Sequence, residues 1–392
     1  MKRKLKTFVM AFAVTLSMFA LAITVYAAVV TYRNTETKFL ATLPSKTIDG
    51  AYYSAVGGIA VGKKQNSMFI VKADSKSDES DALFYDFPSI QSPDVFHTYI
   101  IPMAGHANGM TISSKNVYIC SWKSEKENLE VGESNNKILV IPRPLISVLR
   151  KTSGSYIRVD DYCKNNPSAP KYYTLQPKTK EVLADGSVRY TDYKDNIKTI
   201  TMYTDDNSFI IGYTTMNKRD GTNEHIAYTI ARLETYNDKT YFVVSKDPDD
   251  IFLVKNNVAH KGAMGQDICY AAGHGFFIPR WYGGGSSTDE YYNKNKTVIL
   301  WADIDGEYTY KTVRGVQYRY YIPDKIVIDK SKEKDSSNNL IYKKFEPESI
   351  AFTKYGSLIF SCNTVVNGEA TGGYKDAVFK LSHDGGQKFE LE

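Results

Sequence analysis

The chain has 392 residues with 49 Lys and Arg against 44 Asp and Glu, and four of the positive charges fall in the opening MKRKLK. The remainder is close to neutral with both signs interspersed, which excludes the clustered basic footprint of a nucleic-acid binder. Thirty tyrosines, low Leu and abundant Thr, Val and Ile favour strands, which accommodate aromatic and β-branched side chains.

The basic start runs into an almost wholly apolar stretch, Phe8 to Val30, with a small-residue end at Val25-Tyr26-Ala27. A charged n-region, an apolar h-region and such an end make a secretory signal peptide. Left uncleaved, the same stretch is long enough to anchor the chain in a membrane. Residues 1–28 are therefore read as signal peptide or N-terminal anchor, and 29–392 as a single domain. That domain is expected to be secreted, extracellular or at the cell surface, touching a membrane only if the N-terminal segment stays attached.

From Gly57 onward a phrase recurs five times: a short apolar strand, a polar turn and a second apolar strand. It reads GGIAVGKKQNSMFIVKA from Gly57, NGMTISSKNVYICSW from Asn108, TITMYTDDNSFIIGYT from Thr199, QDICYAAGHGFFIPRW from Gln266 and ESIAFTKYGSLIFSCN from Glu348. A third apolar run follows each: DALFYDF, NKILVIP, HIAYTIARL, TVILWADI and DAVFKLS. Fixed order with variable spacers is the mark of a repeat architecture. The expected fold is all-β, a five-bladed β-propeller whose hairpins form antiparallel blades.

Two excursions interrupt the repeat. Pro144 to Asn196 has room for extra strands, which would allow a sixth blade; in Gly315 to Lys344, QYRYYIPDKIVIDK reads as one outer strand before a polar loop. The N-terminal TKFLATL and the C-terminal KFELE are both strand-like, and either could close the ring. Cys120, Cys163, Cys269 and Cys362 lack metal-finger spacing and read as small buried thiols, with no disulfide pairing indicated.

In a propeller the residues that open the innermost strands ring the mouth of the central channel. Here they are Gly57, Asn108, Thr199, Gln266 and Glu348, with His106 just before one and Asp267 just after another. A carboxylate, two amides and an imidazole suit sugar hydroxyls, suit a hard divalent cation such as Ca²⁺, or simply bond one another and water. The phrase FEPESIAF around Glu348 resembles the innermost-strand opening of NHL-repeat and SMP-30 (gluconolactonase-like) propellers, with Ser349 where those proteins often have Gly. The resemblance implies a divalent metal in the channel, for which Glu348 and Asn108 are the matching positions, while Gln266 departs from the carboxylate such a site would use.

The ends of the second strands lie on the same face, beside long polar second-to-third-strand loops, and carry Trp122, Arg280 and Trp281. Such aromatics with a neighbouring charge form either a wall for a sugar ring or a protein hot spot, or else core packing between blades. His260 also precedes an innermost strand, and His274 falls in a hairpin turn where solvation is expected. A glycosidase needs two carboxylates across the scissile bond. Gly57, Asn108 and Thr199 offer none, and spacing does not select Asp49 or Asp267 as substitutes. No catalytic residue is assigned. The expected function is recognition of an extracellular glycan or surface protein by His106, Asn108, Gln266 and Glu348 with Trp122, Arg280 and Trp281. The alternative is a metal-dependent, lactonase-like hydrolase with a cation on Asn108 and Glu348.

Overall fold

The computed structural model describes residues 37–62, 67–74, 81–105, 107, 109–121, 137–195, 197–213, 225–255, 264–265, 267–281, 296–313, 315–330, 333–334, 336–339, 341–353, 357–366 and 376–381. The expected signal peptide or anchor lies outside them. Among the described residues no helix is long and apolar enough to cross a membrane.

The described strands form five sheets, and each repeat supplies the first hairpin of a different one. These hairpins are Ala51–Val61 with Met68–Asp74, Met110–Ile112 with Asn116–Ser121, and Ile197–Met202 with Ser208–Tyr213. Cys269–Ala271 with Gly275–Trp281 and Tyr342–Phe352 with Leu358–Val366 complete the set. The third apolar runs pair next in every sheet, as Ala82–Phe87, Lys137–Pro142, His225–Tyr236, Lys296–Ala302 and Ala377–Leu381. The first strands touch one another in cyclic order, the fifth returning to the first. This is the arrangement of a β-propeller.

Met68–Asp74 and Ala82–Phe87 are buried at every position. A strand covered on both faces reads as a continuous apolar run rather than an alternation, and neighbouring sheets provide that cover. The core accordingly lies between sheets. Phe69, Phe84 and Tyr99 of the first sheet pack with Ile119 and Leu139 of the second. Tyr118 and Ile138 of the second meet Phe209 and Ile211 of the third. Tyr228 and Phe252 of the third meet Phe276 and Ile278 of the fourth, and Phe277 of the fourth stacks on Phe352 of the fifth at 5.8 Å. Ile359 and Val378 of the fifth close onto Ile70 and Tyr85 of the first.

A hydrogen bond crosses each junction near the axis. Gly58 N donates to Ala107 O at 2.6 Å, Met202 N to Thr111 Oγ1 at 2.9 Å, and Tyr270 N to Thr201 Oγ1 at 3.2 Å. Ser349 Oγ donates to Asp267 Oδ2 and accepts from Ile59 N at 2.8 Å, so one hydroxyl ties the fourth, fifth and first sheets. Gly109 is required by this closeness, because a Cβ there would lie 2.6 Å from Thr199 Cα and from Ile200 N.

The N-terminal strand closes the fifth sheet: Thr37–Thr42 pairs antiparallel with Ala377–Leu381, and KFELE lies outside the described residues. Beside this closure Lys72 Nζ lies 2.8 Å from Asp376 Oδ2, both side chains fully buried. The Lys72 ammonium also donates to Leu43 O at 2.9 Å and to Ser45 Oγ at 3.1 Å.

Neither excursion adds a sheet among the described residues. Pro144 to Asn196 sends Ile157–Arg158, Tyr173–Leu175 and the hairpin Pro177–Val182/Val188–Asp192 to the outer parts of the first three sheets. It also contributes helix Val159–Asn165 and most of helix Arg143–Leu149, both too short to register as amphipathic in sequence. The single outer strand read in QYRYYIPDKIVIDK is two strands. Val316–Tyr321 joins the third sheet and Asp324–Asp329 the fourth. Pro323 separates them, and a proline has no N–H for a ladder and restricts the residue before it. All four cysteines are buried thiols.

Candidate functional site

A cavity of ≈ 30 Å³ on the axis is lined by residues of all five first strands, among them Ile59, Met110, Thr201, Tyr270 and Ile350. At the end where these strands begin, the strand pairing fixes which residues are equivalent. Four hairpins close at Val61↔Met68, Ile112↔Val117, Met202↔Phe209 and Phe352↔Leu358, and the fourth carries one pair more, Ala271↔Gly275 beyond Tyr270↔Phe276. Counting back four residues from Val61, Met202 and Phe352, the mouth position falls on Gly57, Lys198 and Glu348. In the third repeat it is Lys198 rather than Thr199, because the turn between Met202 and Phe209 is one residue longer than that between Phe352 and Leu358.

Among the described residues, the first strands of the first, third and fifth repeats bulge at this level. Pairing slips between Val56 and Ile59, between Ile197 and Thr199, and between Pro347 and Ser349. Lys198 and Glu348 are thus the extra residues of two equivalent bulges, a device that re-aims a side chain out of the ladder. One level further in, Gly58, Asp267 and Ser349 make hydrogen bonds between sheets, and Gly109 packs against the Thr199 backbone.

The electrostatics are those of a desolvated mouth. Burial lowers the Lys198 ammonium to about 8, opposed by the charge of Glu348 and reinforced by Arg280, with Asp267 and Glu346 contributing less. Glu348 keeps part of its surface accessible, yet protein surrounds it. That environment pushes its carboxyl well above the usual range; Glu346 adds to the rise, while Lys344 and Lys198 oppose it. Glu346 is itself buried and paired with Lys344. Burial likewise raises Asp267 well above normal, against the hydrogen bond from Ser349. The mouth therefore offers an ammonium and a carboxyl held toward its neutral form, a donor and acceptor set with little water to screen it.

Among the residues singled out in the sequence, the structure brings Arg280 and Glu348 into one electrostatic cluster. Arg280 is fully buried, so it stands behind the mouth rather than on an outer wall. His106, Asn108, Trp122, Gln266, His260 and the five second-to-third-strand loops lie outside the described residues. So does the side chain of Trp281, whose backbone ends the strand Gly275–Trp281. His274 is partly buried rather than solvated: its ring lies 5.1 Å from Phe352, and burial lowers its pKa. Asp49 sits in an exposed turn and accepts from Tyr156 at 3.3 Å and Arg158 at 3.4 Å, while Asp267 is held in the inter-sheet junction.

Sequence reasoning missed Lys198. Its signal was a lysine within the run IKTITM, which is buried throughout. The cation alternative, with Asn108 outside the described residues, meets this lysine at the level of Glu348. Among the described residues no three His, Cys, Asp or Glu side chains converge as a metal-holding group.

No protein-family model matches the chain, and no curated protein matches it. Solved structures do. The catalytic domain of a GH62 α-L-arabinofuranosidase from Coprinopsis cinerea aligns at 6% identity over 89% of this chain and 96% of its own, with a TM-score of 0.38. An α-L-arabinofuranosidase from Lactobacillus brevis aligns at 8% identity over 87% and 98%, with a TM-score of 0.39. A chain of the nidogen/laminin complex aligns at 9% identity over 88% and 97%, with a TM-score of 0.33. Likenesses this distant carry no inference about chemistry.

Proposed function

We propose that the five sheets are the blades of a five-bladed propeller that serves as a secreted or surface-held recognition module. It binds an extracellular glycan or surface protein through the channel mouth and the adjoining loops. The observation that carries this reading is the placement of Lys198 and Glu348 on equivalent bulges at the mouth. An ammonium donor and a carboxyl held toward its neutral form, in a water-poor site, bind hydroxyl and amide groups more strongly than they would in water. His106, Asn108 and Gln266 are the further polar contacts in this reading, and Trp122 and Trp281 give a sugar ring or an apolar side chain a flat surface. Arg280 acts from behind, through its charge. Nucleic acid is not a partner of so evenly charged a chain, and membrane contact comes only through an uncleaved N-terminal segment.

The test is a glycan array and a surface-protein panel probed with wild type and Trp281→Ala. Weaker binding by the variant, with Tm within about 2 °C of wild type, supports the reading. A Tm lower by about 10 °C or more makes Trp281 a core residue and removes the aromatic wall.

A further inference from the structure

At the opposite end of the first strands from Lys198 and Glu348, a second cavity of ≈ 300 Å³ lies beside the hairpin turns of the second and third sheets. That size suits a small molecule. Ile112 and Met202, which also line the axial cavity, form its inner side, and Arg143, Tyr203, Asp205 and Asp206 stand around them.

The polar groups have distinct states. Arg143 is half-buried, and its guanidinium has no hydrogen-bond or ion-pair partner among the described residues. The neighbouring Arg150 is already neutralised, bonded through two nitrogens to the carboxylate of Asp86 at 2.7 and 2.6 Å. Arg143, which feels the charges of Asp206 and Asp86 but bonds neither, is the guanidinium of the two with donors to offer an anionic group. Lining the same cavity, the turn of the third sheet holds two carboxylates in place. Asp206 accepts from Ser114 N at 3.2 Å and from Ser114 Oγ, and Asp205 Oδ1 accepts from Asn207 N at 2.8 Å. These partners fix the carboxylates before any ligand arrives, which lowers the cost of binding.

We propose that this cavity binds an α-amino acid with an apolar side chain, its carboxylate on Arg143, its ammonium against Asp205 and Asp206, and its side chain on Ile112 and Met202. A positive group and two negative ones around an apolar base complement a zwitterion. A simple anion would meet the two aspartates, and a neutral sugar would leave the guanidinium without a counter-charge. The site is independent of the channel mouth, so it can stand or fall without the recognition reading.

The experiment is isothermal titration calorimetry of the chain with L-leucine and L-phenylalanine, and with leucinamide and N-acetyl-L-leucine as partners lacking one charge. Leucine or phenylalanine binds wild type. Leucinamide and N-acetyl-leucine each bind at least about tenfold more weakly than leucine, as loss of a charge-assisted hydrogen bond implies. Arg143→Gln, with an unchanged Tm, weakens amino-acid binding by a similar factor, and Asp205→Asn reduces the preference for a free ammonium. No binding of either amino acid at about 10 mM, a range far weaker than most specific sites, overturns the proposal. So does N-acetyl-leucine binding as well as leucine, which would mark a site for anions alone, or Arg143→Gln binding like wild type.

Discussion

Lys198 and Glu348 are the bulged residues of two different repeats at the same level of the channel, and each charge moves the other's proton equilibrium. A bulge sets a side chain outside the ladder at little cost to the strand that carries it. The repeat thus keeps its seams one level in, while the mouth level is free to vary from Gly57 to Lys198 to Glu348.

The lowered Lys198 ammonium makes stability depend on pH with a defined sign. The folded value is about 8 against the ordinary 10.5. Between these two values the unfolded chain holds a proton that the folded chain has released, so stability rises with pH across that window. Below it both states are protonated, and the folded state bears the full cost of a buried ammonium. Urea titrations at several pH values should therefore show wild type gaining on Lys198→Met as pH rises from 8 to 10.5. The gain is on the order of 3 kcal/mol over the full window. A pH-independent difference between the two proteins would show that Lys198 is not desolvated.

Ser349 joins three sheets through one hydroxyl. Ser349→Ala leaves the Ile59 N–H without its side-chain partner and the Asp267 carboxyl with only the backbone N–H groups of Ile268 and Ile350. A buried group so stranded costs about 1–3 kcal/mol, and a drop in Tm of several degrees should follow. In a double-mutant cycle with Asp267→Asn the two changes should couple by about 1 kcal/mol or more. Strict additivity would mean the contact contributes nothing.

Lys72 and Asp376 test the closure between the first and fifth sheets. Both are fully buried, and burial opposes the charged form of each while the partner supports it. Lys72→Met strands a buried carboxylate and should cost about 3–5 kcal/mol, whereas Lys72→Met combined with Asp376→Leu should recover much of the loss. Chemical denaturation of the three variants distinguishes this from simple loss of packing, which the double change would only worsen.

Gly109 probes how close the first strands come. An added Cβ would meet backbone atoms of the third sheet at 2.6 Å, and backbone cannot swing aside as a side chain can. Gly109→Ala should destabilise by about 2 kcal/mol or more, read as a fall in the urea midpoint. Gly186→Ala, whose Cβ meets nothing within 4 Å, has no such contact and suffers only from its φ of +78°. Equal losses in the two variants would show that crowding at the axis is not the cause.

The propeller was legible because each repeat carries its own hairpin, and strands buried on both faces leave continuous apolar runs such as MFIVKA and ALFYDF. Short local patterns served less well where one residue decides the register. Aligning first strands by their apolar character placed Thr199 at the mouth, and only the pairing of Met202 with Phe209 shows that a longer turn puts Lys198 there. Arg280 was visible as a charge beside Trp281, but which way a strand's side chain points relative to the neighbouring sheet is a tertiary fact. The outer strands of the long excursion were hidden for a related reason. Val188–Asp192 is partly or wholly exposed and polar, and Pro177–Val182 gains its place only by pairing with Lys239–Val244.

The most direct test of recognition at the channel mouth is equilibrium binding by wild type and the Lys198→Gln/Glu348→Gln double variant. Both are probed on the same glycan array and surface-protein panel after their melting temperatures are compared. A binding mouth predicts that wild type retains a defined ligand class and that the folded double variant binds it at least about tenfold more weakly, as expected for loss of charge-assisted contacts. Wild type binding nothing, or the double variant binding the same ligand equally well, would contradict it.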